Sequence, residues 1–206
     1  MAHNNDRTSA RRAQILTAAA AVFARHGYHG ARMDDIVKES GLSKGALYWY
    51  FKGKEELATA LVHHMLTAET QTLDRLLAQD APAAERLEQL VRGFARELDD
   101  NPHRAPLAQE LLALAQTIPD IRSCYSAHHD RYHEQLRTLL LQMNSTQSPA
   151  GGAPDHRIDD AALALLCVVD GMVLRWTLST PTSRFDLEDR LWAAVSGIVR
   201  GMDAPA

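Results

Sequence analysis

Apolar residues recur at three- and four-residue intervals almost throughout this chain, and no stretch of any length carries a strand signal. That interval gathers apolar side chains on one face of an α-helix. Glycine and proline are sparse and clustered, so they punctuate the pattern. Thr8-Ser9 offers an N-cap before a helix with apolar positions Ile15, Leu16, Ala19, Val22 and Phe23, which Gly27 ends. After a short connection, Tyr28 to Arg32, a second helix spans 33–40. Asp34 and Asp35 sit in its first turn, where the helix dipole favours anions, and Gly41 ends it. Ser43 is a natural cap for a short third helix, 44–50, and Lys52-Gly53 breaks the chain before a long fourth, 54–79. Longer helices are expected over 83–100, 104–117, 119–144, 156–179 and 186–202. Pro82, Asn101-Pro102, Pro119 and Pro181 mark the breaks. The low-complexity run from Asn144 to Pro154 reads as a mobile loop. The expected fold is therefore all-α with about nine helices. Residues 1–54 form a three-helix head, and 55–206 a linking helix and a helical regulatory and dimerisation body.

Charge divides the chain in the same place. Residues 1–54 hold nine Lys+Arg against four Asp+Glu, and residues 55–206 hold thirteen against twenty-two. All the lysines, at 38, 44, 52 and 54, lie in the head. A basic head on an acidic body suits a head that meets a polyanion. The longest apolar run, Ala161 to Val169, has nine residues, too few to cross a bilayer, and the first fifteen residues lack the apolar core of a signal peptide. Cys124 and Cys167 are far apart and form no metal-binding spacing. A cytoplasmic, non-membrane protein without cofactor is expected.

The second and third helices, joined by a tight turn at Gly41, read as a helix-turn-helix, whose second helix enters the DNA major groove. Four of the chain's twelve aromatics stand together at Tyr48, Trp49, Tyr50 and Phe51. Leu47 and Phe51, four apart, point into the head's core. Lys44 supplies charge, Tyr48 a hydroxyl for phosphate, and Gly45 room for the duplex to approach. Lys54 opens the next helix, whose free N–H groups and dipole also favour phosphate.

The head resembles the DNA-binding head of the TetR family of bacterial transcription regulators. The matching residues are Arg12, Ile15, Leu16, Ala18, Ala19, Phe23, Gly27 and Tyr28, then Met33 and Ile36. Gly41-Leu42-Ser43, Gly45, Leu47, Tyr48, Tyr50-Phe51, Lys54-Glu55 and Leu57 complete the set, about a quarter of the chain. The resemblance implies DNA contacts at Lys44, Gly45, Tyr48, Tyr50 and Lys54. Ser43 and Trp49 stand beside them, and Arg11, Arg12 and Arg32 are nearby cations. The family usually has Thr or Ser at 31 and 32, where Ala31-Arg32 stand here. The capping hydroxyl is lost at a cost of about 1 kcal/mol.

In the body, Leu187, Leu191, Val195, Ile198 and Met202 make one helical stripe, and Leu165 and Val169 belong to another. Such stripes also suit packing within one chain. The resemblance implies instead that they pair with their copies in a homodimer, which requires a near-palindromic double-stranded DNA operator. It also implies a small-molecule effector, of unknown identity, held in the body. Candidate pocket residues are Phe94, Leu98, Leu111, Tyr132, Cys167, Asp170, Met172 and Trp176. The expected function is a repressor released by that effector, with no catalytic step. Two alternatives stand beside it. One is a helical metal-binding protein or metalloenzyme using the His128–His133 cluster, where His129 and His133 share a helix face. The other is a DNA protein indifferent to sequence.

Overall fold

The computed structural model describes residues 2–147, 154–180 and 185–202, and every element in them is helical. The helices are α1 (Ala2–Gly30), α2 (Met33–Ser40), α3 (Lys44–Tyr50), α4 (Lys54–Leu77), α5 (Ala83–Asp100), α6 (Arg104–Ala113), α7 (Pro119–Gln147), α8 (Asp155–Leu178) and α9 (Leu187–Met202). A 3-10 turn, Leu114–Gln116, follows α6.

Several ends differ from the sequence reading: α4 stops at Leu77 and not at 79, and α6, expected to reach 117, ends at Ala113 and passes into the 3-10 turn. Thr8-Ser9 does not cap α1, which reaches back to Ala2; no glycine or proline between them stops it. Helix α7 continues to Gln147, into the expected loop; residues 148–153 and the break at Pro181 lie outside the described residues. Gly27 kinks α1 with φ 67 and ψ 162, so regular helix ends there as expected. Gly41 closes α2 in the left-handed conformation, and Ser43 Oγ accepts the Ala46 N–H at 3.2 Å to cap α3. At the start of α2, Arg32 makes no side-chain cap bond.

The chain forms two compact units. The first joins residues 1–67 with 106–126. Its core is Ile15, Val22, Phe23, Ile36, Leu47, Phe51, Leu57 and Leu61, together with Leu111, Ile118 and Ile121. Burying each such side chain contributes about 1.5–3 kcal/mol. The second unit joins 68–105 with 127–206. Leu73, Leu87, Leu139, Leu140, Ile158, Leu165, Leu191 and Val195 fill its main core. Trp176 packs with Ala95, Leu98 and Leu187 in a smaller one. Arg92 and Arg96 of α5 both bond Glu188 in the first turn of α9, at 3.1 and 2.8 Å.

This packing corrects the expected dimer stripe. Leu165, Leu187, Leu191, Val195 and Met202 are buried inside the chain, and Val169 and Ile198 pack half-buried against the same core. These apolar faces of α8 and α9 are used up within the chain's own core. Helix α8 has a second apolar face, where Leu163, Leu174 and Leu178 are 56, 46 and 75 % exposed and Cys167 is exposed. Among the described residues, α8 is the one helix long and apolar enough to cross a membrane by length and composition, although no single run in it is.

Candidate nucleic-acid interface

Helix α3 is held from behind by Leu47 and Phe51, both fully buried, and this turns the rest of it outward. Tyr48 and Trp49 are 36 and 67 % exposed. Tyr50 is half-buried against the core, with its ring edge-on to Trp49 at 4.6 Å between centroids. A Cβ added at Gly45 would meet nothing within 4 Å, so this side of α3 is open. Gln14 of α1 donates to the Ser40 carbonyl at 2.6 Å and braces the end of α2, a contact that no sequence signal marked.

The cations have separate fates. The Arg12 guanidinium lies over the Phe51 ring at 4.8 Å, and Arg11 donates to Gln14 Oε1 at 2.9 Å. Arg32 is exposed at the start of α2. Lys44 Nζ is 2.7 Å from Asp34 Oδ1, and both side chains are exposed. The hydrogen bond from Lys44, reinforced by its charge, holds the Asp34 carboxyl below its ordinary value; the same contact pushes Lys44 up.

Lys54 departs from expectation. Its ammonium donates to the carbonyls of Tyr28, His29 and Ala31 at 2.7, 3.1 and 3.0 Å, and lies 4.6 Å above the Tyr28 ring. An ammonium has three donors, and all three are used. The ammonium therefore ties the end of α1 to the start of α4 and has no donor left for a phosphate, which leaves the backbone N–H groups of the first turn of α4 as the means of contact there. At the same turn, Glu110 of α6 accepts the Tyr28 backbone N–H.

In the second unit, the expected pocket residues divide. Leu98 and Trp176 are buried in a core cluster and Cys167 is exposed on the outer face of α8. Leu111 is fully buried in the other unit. These four pack or face solvent because helical spacing marks apolar positions without saying which cluster they join. Phe94, Tyr132 and Met172 are half-buried. Tyr132 stacks on His128 at 5.2 Å, and His128 Nε2 is 3.5 Å from Glu69, which also pairs with Arg104 at 3.4 Å. Burial raises the Glu69 carboxyl, opposed by Arg104; Asp170 is exposed on α8, where partial desolvation still raises its carboxyl and His129 opposes the shift. Glu69 and Arg104 escaped the sequence reading because they are charged residues on amphipathic helices, where charge usually faces water. Among the described residues no three His, Cys, Asp or Glu side chains stand together as metal ligands.

An all-helical chain that presents α3 beyond a capped turn, with its rings and lysine outward, has the build of a helix-turn-helix DNA-binding protein. Residues 15–61 match the bacterial regulatory proteins of the tetR family, and residues 83–202 match the C-terminal region of BetI-type transcriptional repressors. The chain belongs to the TetR family of transcription regulators. It is 36% identical to the transcriptional activator FasR of Mycolicibacterium smegmatis, across 73% of this chain and 70% of FasR. Its fold is that of the regulator FadR from Bacillus subtilis in complex with stearoyl-CoA (TM-score 0.74, 23% identity, 91% of this chain and 97% of that one). It is likewise that of a transcriptional regulator from Saccharomonospora viridis in complex with choline (TM-score 0.77, 20% identity, 93% and 96%).

Proposed function

We propose that the protein is a cytoplasmic, homodimeric repressor that reads a near-palindromic operator with α3 and leaves it when a small molecule binds the body. The outward face of α3 carries this reading: Lys44, Gly45, Tyr48 and Trp49 are presented, with Ser43 and Tyr50 at its edges and Arg11, Arg12 and Arg32 on neighbouring elements. In this division of labour, residues 1–54 contact DNA and 55–206 sense and dimerise. Repression is favoured by the BetI-type repressor match over 83–202. Selection of bound sequences from random duplex DNA at roughly 150 mM salt tests the reading. One inverted-repeat motif is the expected result. Retention of DNA without a motif would identify a sequence-indifferent binder, and no retention would end the DNA-binding reading.

A second copy covers the outer face of α8. Leu163, Cys167, Leu174 and Leu178 follow one another along that face, and α9 alongside exposes Ala193, Gly197 and Gly201, whose lack of bulk permits close helix approach. Charging this face with Leu174→Glu and Leu178→Glu is expected to halve the particle mass in light scattering at micromolar concentration. Operator affinity should fall on the order of 100-fold as the two heads lose their linkage. A wild-type chain that is already monomeric under these conditions would rule the dimer out.

The effector site is drawn from Phe94, Tyr132 and Met172, with Glu69 and His128 added; Asp170, expected in it, is exposed beside Leu163 and Leu174 on the outer side of α8. Neighbours bind ligands as unlike as stearoyl-CoA and choline. An effector that fits one body conformation would draw the heads out of register with the two half-sites. Saturation of the body by such a molecule with unchanged operator affinity would overturn this mechanism.

A further inference from the structure

The contact between Lys44 and Asp34 sets two functions against each other. Lys44 is the first residue of α3 and the lysine offered outward on the reading helix; Asp34 lies in the first turn of α2, beside it. The ion pair is 2.7 Å long, and its two side chains are 63 and 64 % exposed. An exposed pair of this kind adds little to stability. Its position matters more, because a phosphate approaching Lys44 meets an ammonium that already has an anionic partner.

We infer that Asp34 is an intramolecular competitor of the DNA phosphate, occupying Lys44 in the free head and thereby setting the strength of DNA binding. The inference rests on the reading of α3 as the duplex-facing helix. A carboxylate and a phosphate oxygen present the same charge-assisted acceptor to an ammonium. On binding, Lys44 exchanges one for the other, so the contact releases one DNA counterion but forfeits the pair with Asp34. The displaced carboxylate is then left close to the duplex. Asp34→Asn removes both penalties and leaves a side chain of the same size on an exposed position. Asp35, next in the chain, carries the same charge and the same place in the first turn but makes no ion pair with Lys44, and so separates this effect from a general change of charge.

The test is a titration of the full-length protein against a random-sequence duplex across a range of salt concentrations. It compares wild type with Asp34→Asn, Asp35→Asn, Lys44→Gln and the Asp34→Asn/Lys44→Gln double variant. Removing an exposed competing pair corresponds to binding up to about fivefold tighter, with the salt slope little changed because Lys44 neutralises one phosphate in either protein. Asp34→Asn is expected to show this gain and Asp35→Asn a much smaller one. Lys44→Gln should bind more weakly than wild type, and in its background the gain from Asp34→Asn should shrink to that of Asp35→Asn. The inference is overturned if Asp34→Asn binds no tighter than wild type, if Asp35→Asn matches it, or if the gain survives intact without Lys44. Failure of the wild type to retain any duplex would instead overturn the DNA-binding reading beneath it. Melting curves of the two single Asp variants should stay close to wild type, since neither side chain is in the core.

Discussion

Lys54→Met is expected to lower the melting temperature of the protein by on the order of 10 °C, an effect larger than the loss of one exposed charge could produce. The ammonium serves the carbonyls of Tyr28, His29 and Ala31, and Tyr28 and Ala31 are themselves 8 and 3 % exposed. These acceptors belong to the end of a helix, where carbonyls lack intrahelical partners and the dipole favours a cation. Methionine keeps much of the stem's packing and removes every donor. Orphaning a partly buried acceptor costs about 1–3 kcal/mol, and water can reach some of the three, so the expected loss is about 2–4 kcal/mol. Thermal unfolding followed by circular dichroism measures it. If Lys54 were instead mainly a phosphate contact, the variant would melt like wild type and lose only DNA affinity, with a shallower salt slope.

The second large effect is expected at Gly27, in the same turn. Its φ of 67 and ψ of 162 fall in a region that is essentially reserved for glycine. A Cβ there would stand 3.0 Å from Glu110 Oε1, the atom that accepts the Tyr28 N–H. Gly27→Ala therefore strains the backbone by about 1–3 kcal/mol and also pushes aside a charged acceptor worth about 1.5–3 kcal/mol. A net loss of about 3–5 kcal/mol is expected from chemical denaturation. Glu110→Gln, which keeps the acceptor and removes the charge, should cost a minor part of that. Equal losses in the two variants would mean that the carboxylate charge, and not the glycine conformation, dominates the turn.

Most helix boundaries could be read from the sequence because they are local. Gly41, Ser43, Lys52-Gly53 and the prolines act through their own dihedral angles and their own hydrogen bonds, and α2, α3 and α5 begin and end where those residues predicted. The outward face of α3 was legible for the same reason: once Leu47 and Phe51 are assigned to the core, helical geometry turns Tyr48, Trp49 and Lys44 away from it. What escaped was set by partners far along the chain. Nothing near Lys54 announces that carbonyls of residues 28–31 await its ammonium, and the bond between Glu110 and Tyr28 spans 82 residues. Helix α8 misled through its composition. It is apolar on two sides, periodicity picks out the stronger stripe, and that stripe is consumed by the chain's own core. Asp34 was assigned to the helix dipole, which its position satisfies, while its bond to Lys44 depends on how the turn at Gly41 folds α3 back beside α2.

Residues 106–126 share a core with 1–67 although 38 residues intervene between the two stretches. Leu111, Ile118 and Ile121 belong to the same apolar core as Leu47 of α3 and Phe51 at its end. A chimera made by a single crossover near residue 54, the natural place to exchange operator specificity between two regulators, would part Leu47 and Phe51 from Leu111, Ile118 and Ile121 of the same core and pack them on a stranger's side chains. Heads can be traded cleanly only between chains whose corresponding later segments already agree in size and shape. Recombination among such regulators is thereby constrained at a place in the gene well away from the codons that touch DNA.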